Sequence, residues 1–501
     1  MTLFIVKYNL ESNLILGIVV KSVDILIVGA GISGLGLAVH LLKSCPQLKF
    51  SILEKRECIG GTWDLFKYPG IRSDSDMTTF GYSFKPWTKK SILADGASIQ
   101  QYLCDVVDEY HLGQYIHFNH KVINANFDTA IQKWLVTVQN HLGEINKIET
   151  KYFIGCTGYY HYDQPYQPNF NQQNKFKGQL IHPQLWPENL DYKNKKVVVI
   201  GSGATAITIV PAMVKGGVGH ITMLQRSPTY IASIPALDVL YTKLSQIVPT
   251  KYAYMLTRAR NIGMQRFFYV LAQKYPKLLK HFLLKDIQKN LENKVDLKHF
   301  TPTYNPWEQR LCVVPDGDLF DVLKTDKANI ETDEIDQFTE QGIQLKSGKQ
   351  LEADIIVSAT GLNIQVLGGI QASVDNHEID TSDTMLYQGV MVSDVPNMFM
   401  MIGYINASWT LKVDIASEYL CRLFNYMDEN NYKSVVAPKQ ENAITDETIM
   451  GKMSSGYIAR ASGVLPKQGK FAPWQVTNNY LADRRAYKHA KFEDGVLIFN
   501  G

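Results

Sequence analysis

Two glycine-rich segments of this chain have the spacing that binds a dinucleotide. In the first, the apolar run Val23 to Val28 (VDILIV) leads into Gly29-x-Gly31-x-x-Gly34 and then the helix-like SGLGLAVHLLK. Glycines at these places let the backbone turn tightly and approach a pyrophosphate at a helix N-terminus, where free N–H groups favour an anion. The next strand, FSILE, ends in Glu54, whose carboxylate suits the hydroxyls of an adenosine ribose. In the second, KVVVI over 196–200 leads into Gly201-Ser202-Gly203-Ala204-Thr205-Ala206, and HITMLQR ends in Arg226. Glu54 and Arg226 each lie 25 residues after the first glycine, so they are expected at equivalent positions with opposite charge. A carboxylate suits a ribose diol and an arginine suits a 2′-phosphate, which points to FAD at the first turn and NADPH at the second.

Two dinucleotides in one chain imply electron transfer between them. Cys156-Thr157-Gly158 and Ala359-Thr360-Gly361 each follow an apolar strand and read as the two crossings between a flavin domain and an inserted nicotinamide domain. The expected fold is α/β, with two Rossmann-like dinucleotide-binding domains, the second inserted in the first, and a helical subdomain. The expected division is an N-terminal extension over 1–22, disordered, and a first FAD-binding part over 23–160. An NADPH-binding domain over 161–360 follows, with a helical insertion at about 231–300. The second FAD-binding part and a C-terminal tail take 361–501.

Composition limits the alternatives. A chain of 501 residues has room for about three domains, and 45% hydrophobic with 20% charged residues fits a globular protein. Net charge is +3 with no long Lys/Arg run, so no nucleic-acid partner is expected. The six cysteines are scattered without a C-x-x-C pair, which argues for reduced thiols in the cytoplasm and against a zinc site or other metal centre. Leu14 to Val20 is apolar, but acidic Glu11 precedes it and no cleavage site follows, so secretion is not expected. A disulfide oxidoreductase shares this architecture but needs two neighbouring cysteines beside the flavin. Cys45 and Cys58 flank the Glu54 strand and do not meet that need. Residues 251–298 hold eleven Lys/Arg against three acids, with aromatic residues interleaved at helical spacing. The favoured reading is a helical subdomain packed over the active site. The alternative is peripheral contact with an anionic inner membrane.

The segment FKGQLIHPQLWP, residues 176–187, reads alone as a connecting loop. Through Phe176, Gly178, His182, Trp186 and Pro187 it fits F-x-G-x-x-x-H-x-x-x-W-P, the signature of Baeyer–Villiger monooxygenases. With Gly60-Gly61-Thr62-Trp63, YPGIRSD over 68–74, YNPWEQR over 304–310 and NASWTLK over 406–412, the chain resembles that family of class B flavin monooxygenases over roughly 23–499. It is most similar to the subgroup of ethionamide-activating and long-chain alkane monooxygenases. The resemblance implies NADPH- and O₂-dependent oxidation of lipophilic, long-chain aliphatic ketones to esters through a C4a-peroxyflavin, with S-oxygenation open to the same oxidant. Long-chain alkane hydroxylation is one alternative; an NADPH oxidase or reductase passing electrons to a partner is another.

The resemblance also implies residue roles. Arg310 would be the active-site cation, and Asp74 the carboxylate that positions it and the nicotinamide. Besides the first fingerprint, Ser33, Glu54, Thr62, Trp63, Leu65, Asp74 and the backbone at Val122 would line FAD. Arg72, Ser73, Gly201 through Ala206, Arg226 and Ser227 would face NADPH. His182 and Trp186 would couple the domains rather than touch substrate. Gln309 stands where many members carry Lys, which implies a weaker preference for NADPH over NADH. Nothing in the sequence speaks to oligomeric state.

Overall fold

The strand Ser22–Val28 is apolar because it is an interior strand of a largely buried sheet. It runs parallel to Phe50–Leu53 on one side and to Ile145–Gly155 on the other, in a register that brings Val28, Leu53 and Gly155 to one level. The long strand Ile145–Gly155 also pairs antiparallel with Lys133–Asn140, which pairs with His120–Asp128. There the burial alternates along the strand, as in a sheet with one wet face. A helix, α1 (Ile32–Ser44), follows the first fingerprint. The computed structural model describes residues 21–309, 311–451 and 456–501, so most of the expected 1–22 extension lies outside the described residues.

After Gly155 the chain leaves this sheet and builds a second one, entirely parallel, from Gln179–Ile181, Lys196–Ile200, His220–Gln225, Ala328–Thr332 and Ile355–Ser358. The helix α2 (Ala204–Lys215) follows the second fingerprint. Beyond Ser358 the chain returns: Gln371–Val374 joins His120–Asp128, and Met398–Met400 joins Ile145–Gly155. The protein is thus α/β, with one dinucleotide-binding domain inserted in the other. Each sheet has its own core, Ile25, Leu37 and Ile52 in the first and Val197, Ile207 and Ile355 in the second. Phe66 and Tyr68, which follow the first fingerprint, are buried in the second core.

Two local expectations change. Residues 176–187 are not all loop, because Gln179–Ile181 adds an edge strand to the second sheet. Gly178 is required at its start, where a Cβ would press on the Asp354 carbonyl. The insertion of about 231–300 opens with a strand, Ile231–Ile234, rather than a helix. Its four residues are too short a run for a helix, and they pair in parallel with Cys312–Pro315. Three helices follow: α3 (Val239–Ile247), α4 (Thr250–Lys274) and α5 (Pro276–Leu291).

One largely enclosed arginine seats α4 on the first domain. Arg258 Nη1 donates to the carbonyls of Thr78 and Gly81, each at 2.7 Å, and Nη2 lies 3.6 Å from the Asp414 carboxylate. Asp414 belongs to α6 (Trp409–Glu429) and also accepts from the Ser83 N–H. One turn along α4, Asn261 and Gln265 donate to Asp76, at 2.9 and 2.6 Å. Arg258→Met leaves these carbonyls and a buried carboxylate without their cation, at a cost of about 3 kcal/mol. A clear drop in the thermal unfolding midpoint is expected; an unchanged midpoint would show that other contacts hold the insert.

Candidate active site

Both fingerprints form the same turn. Gly29 has φ +107°, and a Cβ there would sit 2.6 Å from the carbonyl oxygen of Cys156. Gly201 has φ +139°, and its Cβ would press on the Ala359 carbonyl. Each first glycine therefore lies against the residue at which the chain crosses between domains. Gly34 packs α1 on its strand, since a Cβ there would meet the Gly29 carbonyl, and fully buried Ala206 holds the corresponding place in α2. The middle glycines are different. Gly31 meets only the Gly61 backbone, at 3.7 Å or beyond, and Gly203 has nothing within 4 Å. Both helices start with no side-chain cap and no acid in the first turn. Their leading N–H groups and the bare glycine surface fit a pyrophosphate.

Glu54 is buried at the carboxyl end of its strand and accepts the N–H groups of Ala30 at 2.8 Å and Arg56 at 3.0 Å. Burial pushes its pKa up, and these two N–H groups pull against that shift. A carboxylate has further lone pairs, so this one still suits two ribose hydroxyls. Val122 lies on the strand that begins at His120, whose N–H donates to the Glu54 carbonyl at 2.9 Å.

The structure corrects the expected equivalence of Glu54 and Arg226. Val28 pairs with Leu53, but Ile200 pairs with Leu224, so Gln225 and not Arg226 matches Glu54. Gln225 is buried and donates to the His299 carbonyl and the Thr332 hydroxyl, at 2.7 and 2.8 Å. Arg226 and Ser227 open the exposed loop beyond it. Ser202 accepts a hydrogen bond from Thr229 at 2.8 Å.

Residues 60–76 run from the first domain onto the second. Thr62 stands 3.5 Å from the Tyr162 hydroxyl, and Trp63 packs edge-on against Phe80. Leu65 packs on the second core. The Tyr68 hydroxyl bonds Thr205, while burial raises its pKa to about 12, with the Asp74 charge adding to that rise. At Gly70, with φ +77°, a Cβ would meet Ala212 at 2.7 Å and the Thr208 carbonyl at 2.9 Å, so this turn lies directly on α2. Arg72 is fixed by Asp318 at 2.5 Å. Ser73 is buried and closes a small turn with Ser75, leaving Asp74 exposed beside it. Ser33 accepts the Trp409 indole N–H at 2.7 Å, and Trp409 stacks on Tyr159. Arg310 lies outside the described residues; the loop before it packs through Trp307 on Tyr269 of α4.

The segment 176–187 binds both crossings. His182 Nδ1 accepts the Gln184 N–H at 3.1 Å, so Nε2 carries the proton it donates to the Gly361 carbonyl, 3.2 Å away. Burial lowers the His182 pKa. The Gln184 amide donates to the carbonyls of His161 and Tyr162, at 2.9 and 2.7 Å. Sequence reading gave no role to Gln184, Asp76, Arg258 or Asp318. Cys45 does meet Cys421, its thiol 3.5 Å from that residue's carbonyl. The pair sits at the far end of α1, about 20 Å from the fingerprint turn. Among the described residues there is no cluster that could hold a metal ion.

A profile for pyridine nucleotide-disulphide oxidoreductases matches residues 26–239, which is less than half of the chain. A probable FAD-binding monooxygenase, AlmA, of Acinetobacter baylyi is 63% identical over 480 residues, covering 96% of each chain. The FAD-containing monooxygenase EthA of Mycobacterium tuberculosis is 47% identical over 480 residues, covering 96% of this chain and 98% of its own. Cyclohexanone monooxygenase in an open crystal structure has the same fold, with a TM-score of 0.76 at 20% identity over 96% of this chain and 100% of that one. A steroid monooxygenase bound to NADP also has a TM-score of 0.76, at 20% identity, over 96% of this chain and 99% of that one. With two uncapped fingerprint helices, a buried carboxylate beside the first and 63% and 47% identity to these relatives over 96% of its length, the chain belongs to the FAD-containing monooxygenases.

Proposed function

We propose that this monooxygenase carries out Baeyer–Villiger oxidation of lipophilic, long-chain aliphatic ketones in the cytoplasm, with S-oxygenation as a further activity. One oxygen atom of O₂ enters the ester and the other leaves as water, with NADPH and a proton consumed. The observation that carries this reading is segment 176–187. Its family-diagnostic His182 and neighbouring Gln184 bind both interdomain crossings, as a coupler between the flavin and nicotinamide domains must. The cytoplasmic assignment is supported by the six scattered cysteines, none of which forms a disulfide among the described residues.

FAD and NADPH supply the redox chemistry when bound: the nicotinamide gives a hydride to the flavin, and the reduced flavin activates O₂. The chain's own residues hold and orient. We assign residues 23–160 and 361–501 to FAD and 161–360 to NADPH. Gly29, Gly31, Gly34 and the first N–H groups of α1 seat the FAD pyrophosphate, with Glu54 on its ribose. Gly201, Gly203 and the N–H groups of α2 seat that of NADPH, and Arg226 reaches its 2′-phosphate. Thr62, Trp63 and Leu65 would line the flavin. Arg72 and Ser73 carry Asp74 to the border of the two domains. Arg310 is assigned the permanent cation that stabilises developing oxyanion charge, and Asp74 the carboxylate that orients it.

The direct test gives the FAD-loaded protein NADPH, O₂ and a panel of aliphatic ketones, long alkanes and thioethers. Esters are expected from the ketones, and Arg310→Ala should still let NADPH bleach the flavin while yielding little ester. Stoichiometric H₂O₂ without oxygenated product would identify an oxidase instead, and alcohols from alkanes alone would identify a hydroxylase.

The open site at Gly203 gives a finer prediction. A methyl group there meets no protein atom, so Gly203→Ala should fold and hold FAD normally while binding NADPH at least tenfold more weakly. Equal NADPH affinity in the variant and the parent would remove Gly203 from the nucleotide site.

His182 gives a pH dependence. Its folded pKa lies below the ordinary value of about 6.5, because burial disfavours the charged ring. The stability it contributes is complete above that ordinary value and is lost as pH falls through the lowered one. Unfolding midpoints measured from pH 7.5 down to 5 should fall less steeply for His182→Gln than for the parent; parallel curves would refute this.

A further inference from the structure

The helical insert turns apolar side chains outward on three consecutive helices. Among the described residues, thirteen of the twenty-one exposed large apolar side chains fall between Leu237 and Phe282. On α4, Tyr252, Leu256 and Phe267 lie opposite the face of Thr257, Arg258 and Asn261 that seats the helix. On α5, Leu278 and Phe282 lie opposite Leu279, Ile287 and Leu291, which are buried. Ile247, at the end of α3, is 80% exposed, Phe267 61% and Phe282 56%. Apolar surface of this extent marks an interaction site.

The charge around it selects the partner. Lys251, Lys274, Lys277, Lys285 and Lys289 are all exposed along the same helices. Of the three acids in 251–298, Glu292 pairs with Lys324 and Asp296 with Lys298. The whole chain carries only +3, so the remainder is net acidic and the insert is its positive pole. Two copies joined about a twofold axis would press this basic face against itself. Among the described residues no helix is long and apolar enough to cross a membrane.

We propose that the outward face of α3, α4 and α5 docks on an anionic lipid bilayer. Ile247, Tyr252, Leu256, Phe267, Leu278 and Phe282 enter the boundary between headgroups and acyl chains, and the lysines bind the anionic headgroups. The inner face of α4 holds the turn 76–81 beside Asp74, so a bound bilayer lies one helix thickness from the site. That proximity gives a lipophilic substrate a short path out of the membrane; this last step rests on the proposed substrate class, whereas the docking does not.

The test sediments the FAD-loaded protein with vesicles of phosphatidylcholine alone or mixed with phosphatidylglycerol, and needs no turnover. Binding to the mixed vesicles at 0.1 M salt is expected, with at least a tenfold loss in the Leu256→Ser/Phe267→Ser/Phe282→Ser variant and in 0.5 M salt. Oxidation of a small water-soluble ketone should be the same for variant and parent. The proposal fails if the mixed vesicles do not bind or if the variant binds them equally. It also fails if sedimentation shows that these substitutions instead abolish self-association, because a second copy would then cover the face. Loss of ketone oxidation with vesicle binding intact would refute the proposed reaction and leave the docking in place.

Discussion

The close contact between each first glycine and the crossing strand's last carbonyl constrains the whole molecule. Gly29 lies against Cys156 and Gly201 against Ala359, with no room for a side chain at either place. The turn that seats a pyrophosphate and the peptide at which the chain changes domain are therefore packed as one unit. The chain passes between the two domains at residues 156–158 and 359–361, directly behind the two glycine turns. Segment 176–187 then bonds to Gly361 of the second crossing through His182, and to His161 and Tyr162 just beyond the first through Gln184. The two crossings are thus tied to segment 176–187 by side-chain-to-backbone hydrogen bonds.

A second bridge runs the other way. Residues 65–72 leave the flavin domain and bury Phe66 and Tyr68 in the core of the nicotinamide domain. Gly70 lies on α2, and Arg72 is held by Asp318 beyond the insert. Just beyond this stretch, Asp76 also anchors α4. A polar loop in the sequence is thus the place where three parts of the molecule meet, and this is why Asp74, exposed at its crest, stands at their common border.

What was legible in the sequence follows from the range of the forces involved. The fingerprints, their strands and the two crossings are local patterns, and they stand where the glycine spacing and apolar runs placed them. The edge strand Gln179–Ile181 was hidden because its partner, Ile355–Ser358, lies far along the chain. Arg258, Asn261 and Gln265 read as ordinary polar positions of a basic helix, and only the packed fold shows them buried against residues 76–81. The matched 25-residue spacing of Glu54 and Arg226 concealed a one-residue difference in register, since spacing counts residues and pairing does not.

That difference bears on how the two nucleotides are held. Glu54 is buried at the strand end, and an ionised carboxylate there is tolerable only while hydroxyl or N–H donors satisfy it. It therefore favours a ribose that stays in place, as that of a resident flavin does. Arg226 stands one residue further out, on the exposed start of a loop, and buried Gln225 takes the inner position with protein partners of its own. An exposed guanidinium is already solvated, so it can meet a phosphate and release it again at little desolvation cost. Under the proposed assignment, the second site suits a nucleotide that exchanges with solvent, since the exposed Arg226 would meet its phosphate without first shedding protein partners.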